Sequence, residues 1–221
     1  MEKKISPSVM CVDFFALGQT LCAFEECGIE YLHVDIMDGS FVPNFTLGTD
    51  FVKALKKNTK IPLDIHLMIE KPEEKLSWFE FGDGDIVSVH YESTEKLSDA
   101  INIIKGRGAK AYVAISPDTD ENVLDNYLSD IDGVLVMTVR PGFAGQKMIP
   151  ETLEKIARVR KKLDEKGLSR VSIEVDGNVS FENARLMNEK GADIFVAGTS
   201  SIFAKDGTIF ENTEKMRKII G

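Results

Sequence analysis

Short β-branched runs recur through this chain at nearly even intervals, at 5–9, 31–36, 61–68, 86–90, 110–115, 133–139, 171–175 and 194–197. That places one run about every 27 residues, close to the length of a strand and its crossover helix. The stretches between them carry helical signals. Residues 15–28 follow Asp13 as a cap, 50–57 end in lysines, and 94–105 place Leu97, Ile101 and Ile104 at helical spacing. Residues 149–166 carry Leu153, Ile156, Val159 and Leu163 along one side before Gly167 as a stop, and 181–189 and 210–219 repeat the pattern. Such alternation predicts a parallel sheet buried on both faces. Eight units with no surplus favour an α/β chain closed into a (β/α)8 TIM barrel over an open doubly wound sheet, whose dinucleotide-binding form would carry a GxGxxG turn after the first strand.

The length suits one domain spanning 1–221, and no Pro-, Gly- or Ser-rich linker divides it. A formal charge of −9 argues against a nucleic-acid partner. A small anion remains compatible, because a local nest of N–H groups holds phosphate whatever the global charge. Cys11, Cys22 and Cys27 form no CxxC pair and read as free thiols in a reducing compartment. The opening MEKKISPSVM lacks the apolar run of a signal peptide, and no stretch approaches the roughly 20 apolar residues that span a bilayer. The expectation is a cytoplasmic protein that does not engage a membrane.

The three histidines, His33, His66 and His90, all fall near strand ends. The two-residue period of a strand puts His33, Asp35 and Met37 on one face and Asp64, His66 and Met68 on one face of another strand. Asp176 ends the run in IEVDGN. His33, Asp35, His66 and Asp176 would form a nitrogen and oxygen donor set for Zn, Mn or Fe, without the thiolates of a structural zinc site. His90 is expected to line a pocket or support the rim. Asp38, in a DG turn, either orients His33 or binds its own backbone. Glycine-rich turns follow the last three runs: RPGFAGQ at 140–146, DGN at 176–178 and AGTSSIF at 197–203. Barrel enzymes often hold phosphate on the loops after strands seven and eight, so Gly177 and Gly198 offer close approach while Thr199 and Ser200 offer hydroxyls.

Taken in order, SPSVMCVD, HVDIMDGSFVPN, DIHLM, HYE, VMTVRPGFAGQ, VDGN and AGTSSIF resemble the ribulose-phosphate 3-epimerase family along nearly the whole chain. The resemblance implies a TIM barrel that inverts C3 of a ketose phosphate through a metal-stabilised enediolate. It implies His33, Asp35, His66 and Asp176 as ligands of one divalent ion per subunit, with Zn favoured and Mn, Fe or Co also suitable. It makes Asp35 and Asp176 the acid/base pair and calls for no organic cofactor. It further implies that Ser8 and His66 contact substrate and that Met37, Met68 and Met137 form an apolar wall. Gly142, Phe143, Ala144 and Gly145 align with a covering loop, and Gly177, Asn178, Gly198 and Thr199, joined by Ser200, with a phosphate cradle. Family members commonly associate, so a homo-oligomer is expected.

Within the family, SPSVMC, IPETL after PGFAGQ, IEVDG and GTS look most like the branch acting on D-allulose 6-phosphate, with ribulose 5-phosphate as the alternative substrate. Asn178, Ser40, Tyr91 and Arg140 depart from common family residues. Arg140 is expected to alter loop closure or to reach a longer substrate. A phosphosugar aldolase using a Schiff-base lysine is disfavoured because no lysine ends a strand. A noncatalytic sugar-phosphate binder would tolerate loss of Asp35.

Overall fold

Strands buried on both faces need apolar residues at every position but those aimed at a site, and LDIHLM, buried at all six residues, shows the pattern. The computed structural model describes residues 2–221, leaving only Met1 of the opening segment outside. In chain order the elements are β1 (Lys4–Pro7), α1 (Leu17–Glu26), β2 (Leu32–Asp38), β3 (Phe45–Thr46), α2 (Thr49–Asn58), β4 (Leu63–Met68), α3 (Pro72–Lys75) and β5 (Ile86–His90). There follow α4 (Leu97–Gly106), β6 (Lys110–Ile115), β7 (Gly133–Met137), α5 (Glu151–Glu165), β8 (Ser172–Asp176), α6 (Phe181–Glu189), β9 (Ile194–Ala197) and α7 (Ile209–Ile220).

The sheet runs β1-β9-β8-β7-β6-β5-β4-β2-β3. A parallel bridge between Ser8 and His33 joins β1 back to β2, so eight parallel strands close into a (β/α)8 barrel. The ninth strand, β3, pairs antiparallel with the end of β2 and was not anticipated from sequence. Not every unit carries a full helix. The crossover after β4 holds the single turn α3, and the one after β6 has only a 3-10 turn at Glu121–Leu124. There Pro117, Asp118 and Asp120 favour turns, and the Asp120 carboxylate accepts from the Asn122 N–H. The first strand stops at Pro7, because the next residues coil into a 3-10 turn at Val9–Cys11.

Two environments result. Outward-facing Val34, Ile65, Val87, Val113, Val134 and Ile173 pack with helix residues such as Leu55, Ile101 and Ile156 in one aliphatic shell. Inside, Tyr31, Ile86, Tyr112 and Ile194 plug the N-terminal end. Gly133 makes room for that plug: a Cβ there would lie 2.3 Å from the Tyr112 ring. Above it Ser6, His33, Asp64, His66, Ser88 and Glu174 are all completely buried.

Candidate active site

The register of β2 against β4 sets Asp35 beside His66 and Met37 beside Met68, while β8 sets Asp176 beside Met137. His33 Nε2 lies 3.1 Å from Asp35 Oδ1 and 3.8 Å from Asp176 Oδ2. His66 Nδ1 lies 3.2 and 3.7 Å from the same two oxygens. One donor atom from each of the four residues therefore falls within 4.8 Å of all the others. A tetrahedral zinc with bonds of roughly 2.0–2.1 Å has ligand–ligand edges of about 3.3 Å, so the spacing and the donor chemistry both fit a divalent cation.

Electrostatics separate the two acids. Burial acts to raise the Asp35 carboxyl, but the charge and hydrogen bonds of His33 and then His66 outweigh it and hold the group well below its ordinary range. Asp176 is pushed up to about 7, by burial and then by the Asp35 charge. Burial also opposes charging of His33, yet Asp64 and Asp35 raise it well above its usual value. For His66 and His90 burial prevails and lowers both.

Behind the site, His33 Nδ1 sits 2.6 Å from Asp64 Oδ2, which also accepts from Ser6 Oγ at 2.8 Å. Glu174 Oε1 is 3.7 Å from His33 Nδ1, and burial together with the Asp64 charge drives Glu174 well above the carboxylate range. Asp64 Oδ1 and both Glu174 oxygens accept from no protein donor, and the protonated Glu174 carboxyl has the Asp64 carboxylate as its acceptor. Sequence reasoning gave these three residues no role. The available signal was periodicity, because Ser6, Asp64 and Glu174 each stand two residues before Ser8, His66 and Asp176 and so share their faces.

A cleft at the C-terminal mouth brings together Asp35, Asp176, Ser8, Met37, Met68 and Met137, the loop at 142–145, and residues 177–178 and 198–200. Ser8 Oγ donates to Asp35 Oδ2 at 2.9 Å. The loop is tied down at three points. Asn44 Nδ2 donates to Gly142 O, Gln146 Nε2 donates to the Arg140 and Phe143 carbonyls, and the Arg140 guanidinium makes a two-pronged contact with Asp118. Gly177 has φ +118, and a Cβ there would lie 2.7 Å from Val139 and 2.8 Å from Thr138 Oγ1. Asn178 takes the left-handed conformation that asparagine tolerates, with φ +47. Its amide donates to Ser200 Oγ and accepts from Asn183, linking the two glycine turns. Among the described residues, no protein acceptor takes the backbone N–H of Asn178 or Ser200.

The other candidates divide between the cleft and the layer behind it. His66 is completely buried and does not reach the cleft wall, so it faces the donor set rather than open space. His90 is also absent from the cleft wall and stacks behind His66 at a centroid distance of 5.0 Å. Its Nδ1 meets Glu92 Oε2 at 3.1 Å. Burial would raise Glu92, but hydrogen bonds from His90, Thr119 and the Ser116 N–H bring it down to about 2. Asp38 accepts from the backbone of Ser40, Phe41 and Glu70 and pairs with Lys75; Asp64 is what orients His33. The methionines form two groups, Met37 and Met68 with Met10 and Phe41, and Met137 with Ala114 and Leu135.

A model of the Ribulose-phosphate 3 epimerase family matches residues 4–203. The chain is 45% identical over 197 residues to a ribulose-phosphate 3-epimerase of Bacillus subtilis, covering 89% of this chain and 91% of that one. It is 45% identical over 204 residues to a chloroplastic ribulose-5-phosphate-3-epimerase of Arabidopsis thaliana, covering 91% and 72%. Among solved structures, a mutant tryptophan synthase alpha-subunit from Pyrococcus furiosus superposes with a TM-score of 0.66 at 15% identity, covering 100% and 99%, which is a likeness of fold alone. The family match over most of the length, together with these relatives, means that the chain belongs to the ribulose-phosphate 3-epimerase family.

Proposed function

We propose that the protein inverts C3 of a ketose phosphate, interconverting D-ribulose 5-phosphate and D-xylulose 5-phosphate. The observation that carries this reading is that Asp35 on β2 and Asp176 on β8 meet at the floor of one cleft within a single four-residue donor set. Two carboxyls that converge on one substrate carbon can serve as base and acid by turns. Asp35 takes the C3 proton from one face and Asp176 returns one to the other; for the opposite epimer the roles exchange, so no external reductant or oxidant is needed. The pair titrates as a unit, and the protonation state left by one turnover suits the reverse one.

His33, Asp35, His66 and Asp176 would hold the divalent ion, with zinc favoured and Mn, Fe or Co compatible with the same donors. When bound, such an ion supplies positive charge against the negative charge that develops on the substrate oxygens. Asp64 fixes the His33 ring, and Ser8 steadies Asp35. Gly177, Asn178, Gly198, Thr199 and Ser200 receive the phosphate, whose binding contributes orientation at C3 and helps keep the 142–145 loop closed against water. Met37, Met68 and Met137 keep the wall apolar where charge develops.

The six-carbon preference suggested by the motif variants gains no support from the relatives, whose names specify ribulose phosphate. Arg140, expected to alter loop closure or to reach a longer substrate, is engaged by Asp118. Three free cysteines suit a reducing cytoplasmic setting, and the exposed Phe14 and Phe15 support association of copies. Turnover of ribulose 5-phosphate and allulose 6-phosphate, measured side by side before and after chelation and metal replacement, tests the reading. We expect kcat/KM at least about tenfold higher for the five-carbon ketose, a difference of about 1.4 kcal/mol. Equal or faster turnover of allulose 6-phosphate overturns the substrate, and full activity of Asp35→Asn overturns the two-acid chemistry.

A further inference from the structure

A histidine that ligates a metal must present a bare ring nitrogen, and the hydrogen bond made by its other nitrogen decides which one is bare. His66 directs Nδ1 toward Asp35 and Asp176, and its Nε2 lies 2.9 Å from Nε2 of His90. Two ring nitrogens this close cannot both carry hydrogen and cannot usefully both lack it. One must donate and the other accept.

Glu92 settles the direction. Its Oε1 accepts from the Ser116 N–H at 2.8 Å and from the Thr119 hydroxyl, which leaves Oε2 for His90 Nδ1. An ionised carboxylate only accepts, so His90 Nδ1 carries the hydrogen and donates it. His90 Nε2 is then bare and accepts from His66 Nε2–H, which leaves His66 Nδ1, 3.2 Å from Asp35 Oδ1, as the nitrogen that can give its lone pair to a bound ion. Phe41 packs over the His90 ring at a centroid distance of 4.8 Å and helps fix its plane. The segment that holds Glu92 is itself anchored, because Lys155 Nζ donates to the carbonyls of Ser116, Pro117 and Thr119.

We propose that Glu92 and His90 are positioning residues that set the tautomer of His66 through a one-way chain of hydrogen bonds. The inference rests on the metal-site reading given above and deepens it. It explains why His90 sits behind the cleft rather than in it, and it gives Glu92 an effect on a metal it does not touch.

The isosteric variant separates this role from mere packing. In Glu92→Gln, Ser116 N–H and the Thr119 hydroxyl both require an acceptor, which turns the amide oxygen toward them and the NH2 group toward His90 Nδ1. The chain then reverses and delivers a hydrogen to His66 Nδ1. Glu92→Ala removes the bias without reversing it. A packing role predicts the opposite order, with Gln the milder change.

Zinc affinity of the full chain, measured by competition with a chelating dye, should fall about 10–100-fold in Glu92→Gln and by less in Glu92→Ala. Imidazole 15N NMR of the chelator-treated protein should show His90 protonated on Nδ1 in the wild type and on Nε2 in Glu92→Gln. Wild-type zinc affinity in Glu92→Gln, a milder loss than in Glu92→Ala, or a wild-type His90 protonated on Nε2 each overturn the chain. His66→Ala is titrated alongside. If it keeps full zinc affinity, the ligand set itself falls; if it loses zinc while Glu92→Gln does not, only the hydrogen-bond chain falls.

Discussion

The same barrel strands build two interiors, one on each face. Outside, Val34, Ile65, Val87 and Ile173 meet the helices in a continuous aliphatic layer. One residue along on those strands, His33, Asp35, Asp64, Ser88 and Glu174 are just as hidden from water. Equal burial has opposite energetic consequences. Each aliphatic side chain withdrawn from water contributes about 1.5–3 kcal/mol, whereas a buried polar group costs free energy unless it is hydrogen-bonded, and a buried charge costs more. Three carboxyl oxygens of Asp64 and Glu174 receive no hydrogen bond from any other protein donor, so the inner face is held in place by the outer one. Stability and chemistry are separated by the alternation of the strand.

That contrast breaks first at Asp176. Asp176→Asn should keep the fold and much of the phosphate affinity while turnover falls about 10²–10⁴-fold. Incorporation of solvent deuterium at C3 measures the loss, and exchange at the wild-type rate would assign the proton to another group. The outer face should respond the other way. Ile65→Ala leaves a cavity in the shell and should cost about 2–5 kcal/mol in denaturant unfolding with turnover per folded molecule unchanged. Equal losses of activity in both variants would erase the division between the two faces.

A smaller effect concerns pH. Asp176 rises from its ordinary 3.8 to about 7 in the folded chain, so folding favours its protonated form. Its contribution to stability is complete below about pH 4 and is lost as pH rises toward about 7. Melting temperatures of chelator-treated wild type, compared with Asp176→Asn at each pH, should therefore fall relative to the variant across that window. Parallel curves would show that the acid feels no such environment.

Legibility followed the range of the interactions. Three strands have the residues read from sequence, at 86–90, 110–115 and 194–197. His33 with Asp35, and Asp64 with His66, were placed on common faces by the two-residue period, a local property of any strand. The length of the first strand was misjudged because SPSV reads as extended until Val9 turns to let Cys11 N–H reach Ser8 O. Of the two readings of Asp38, a partner for His33 or a turn acid that binds its own backbone, the second holds, because a carboxylate in a DG turn finds near donors in Ser40 and Phe41. His90 could not be placed against His66, because the β4–β5 register pairs His66 with Ser88 and the contact arises above that pair, between side chains.

From the sequence alone came the strand–helix rhythm, the identity of the donor groups and the glycine turns, since each depends on residues within a few positions of one another. Tertiary structure alone decided that Asp176, far along the chain, lies beside Asp35, that Asp64 and Ser6 brace His33, and that Glu92 reaches His66 through His90. The physical reason is closure: parallel strands without a local turn between them acquire neighbours only through crossovers and a shared core, and those set the register that brings distant side chains within hydrogen-bond reach.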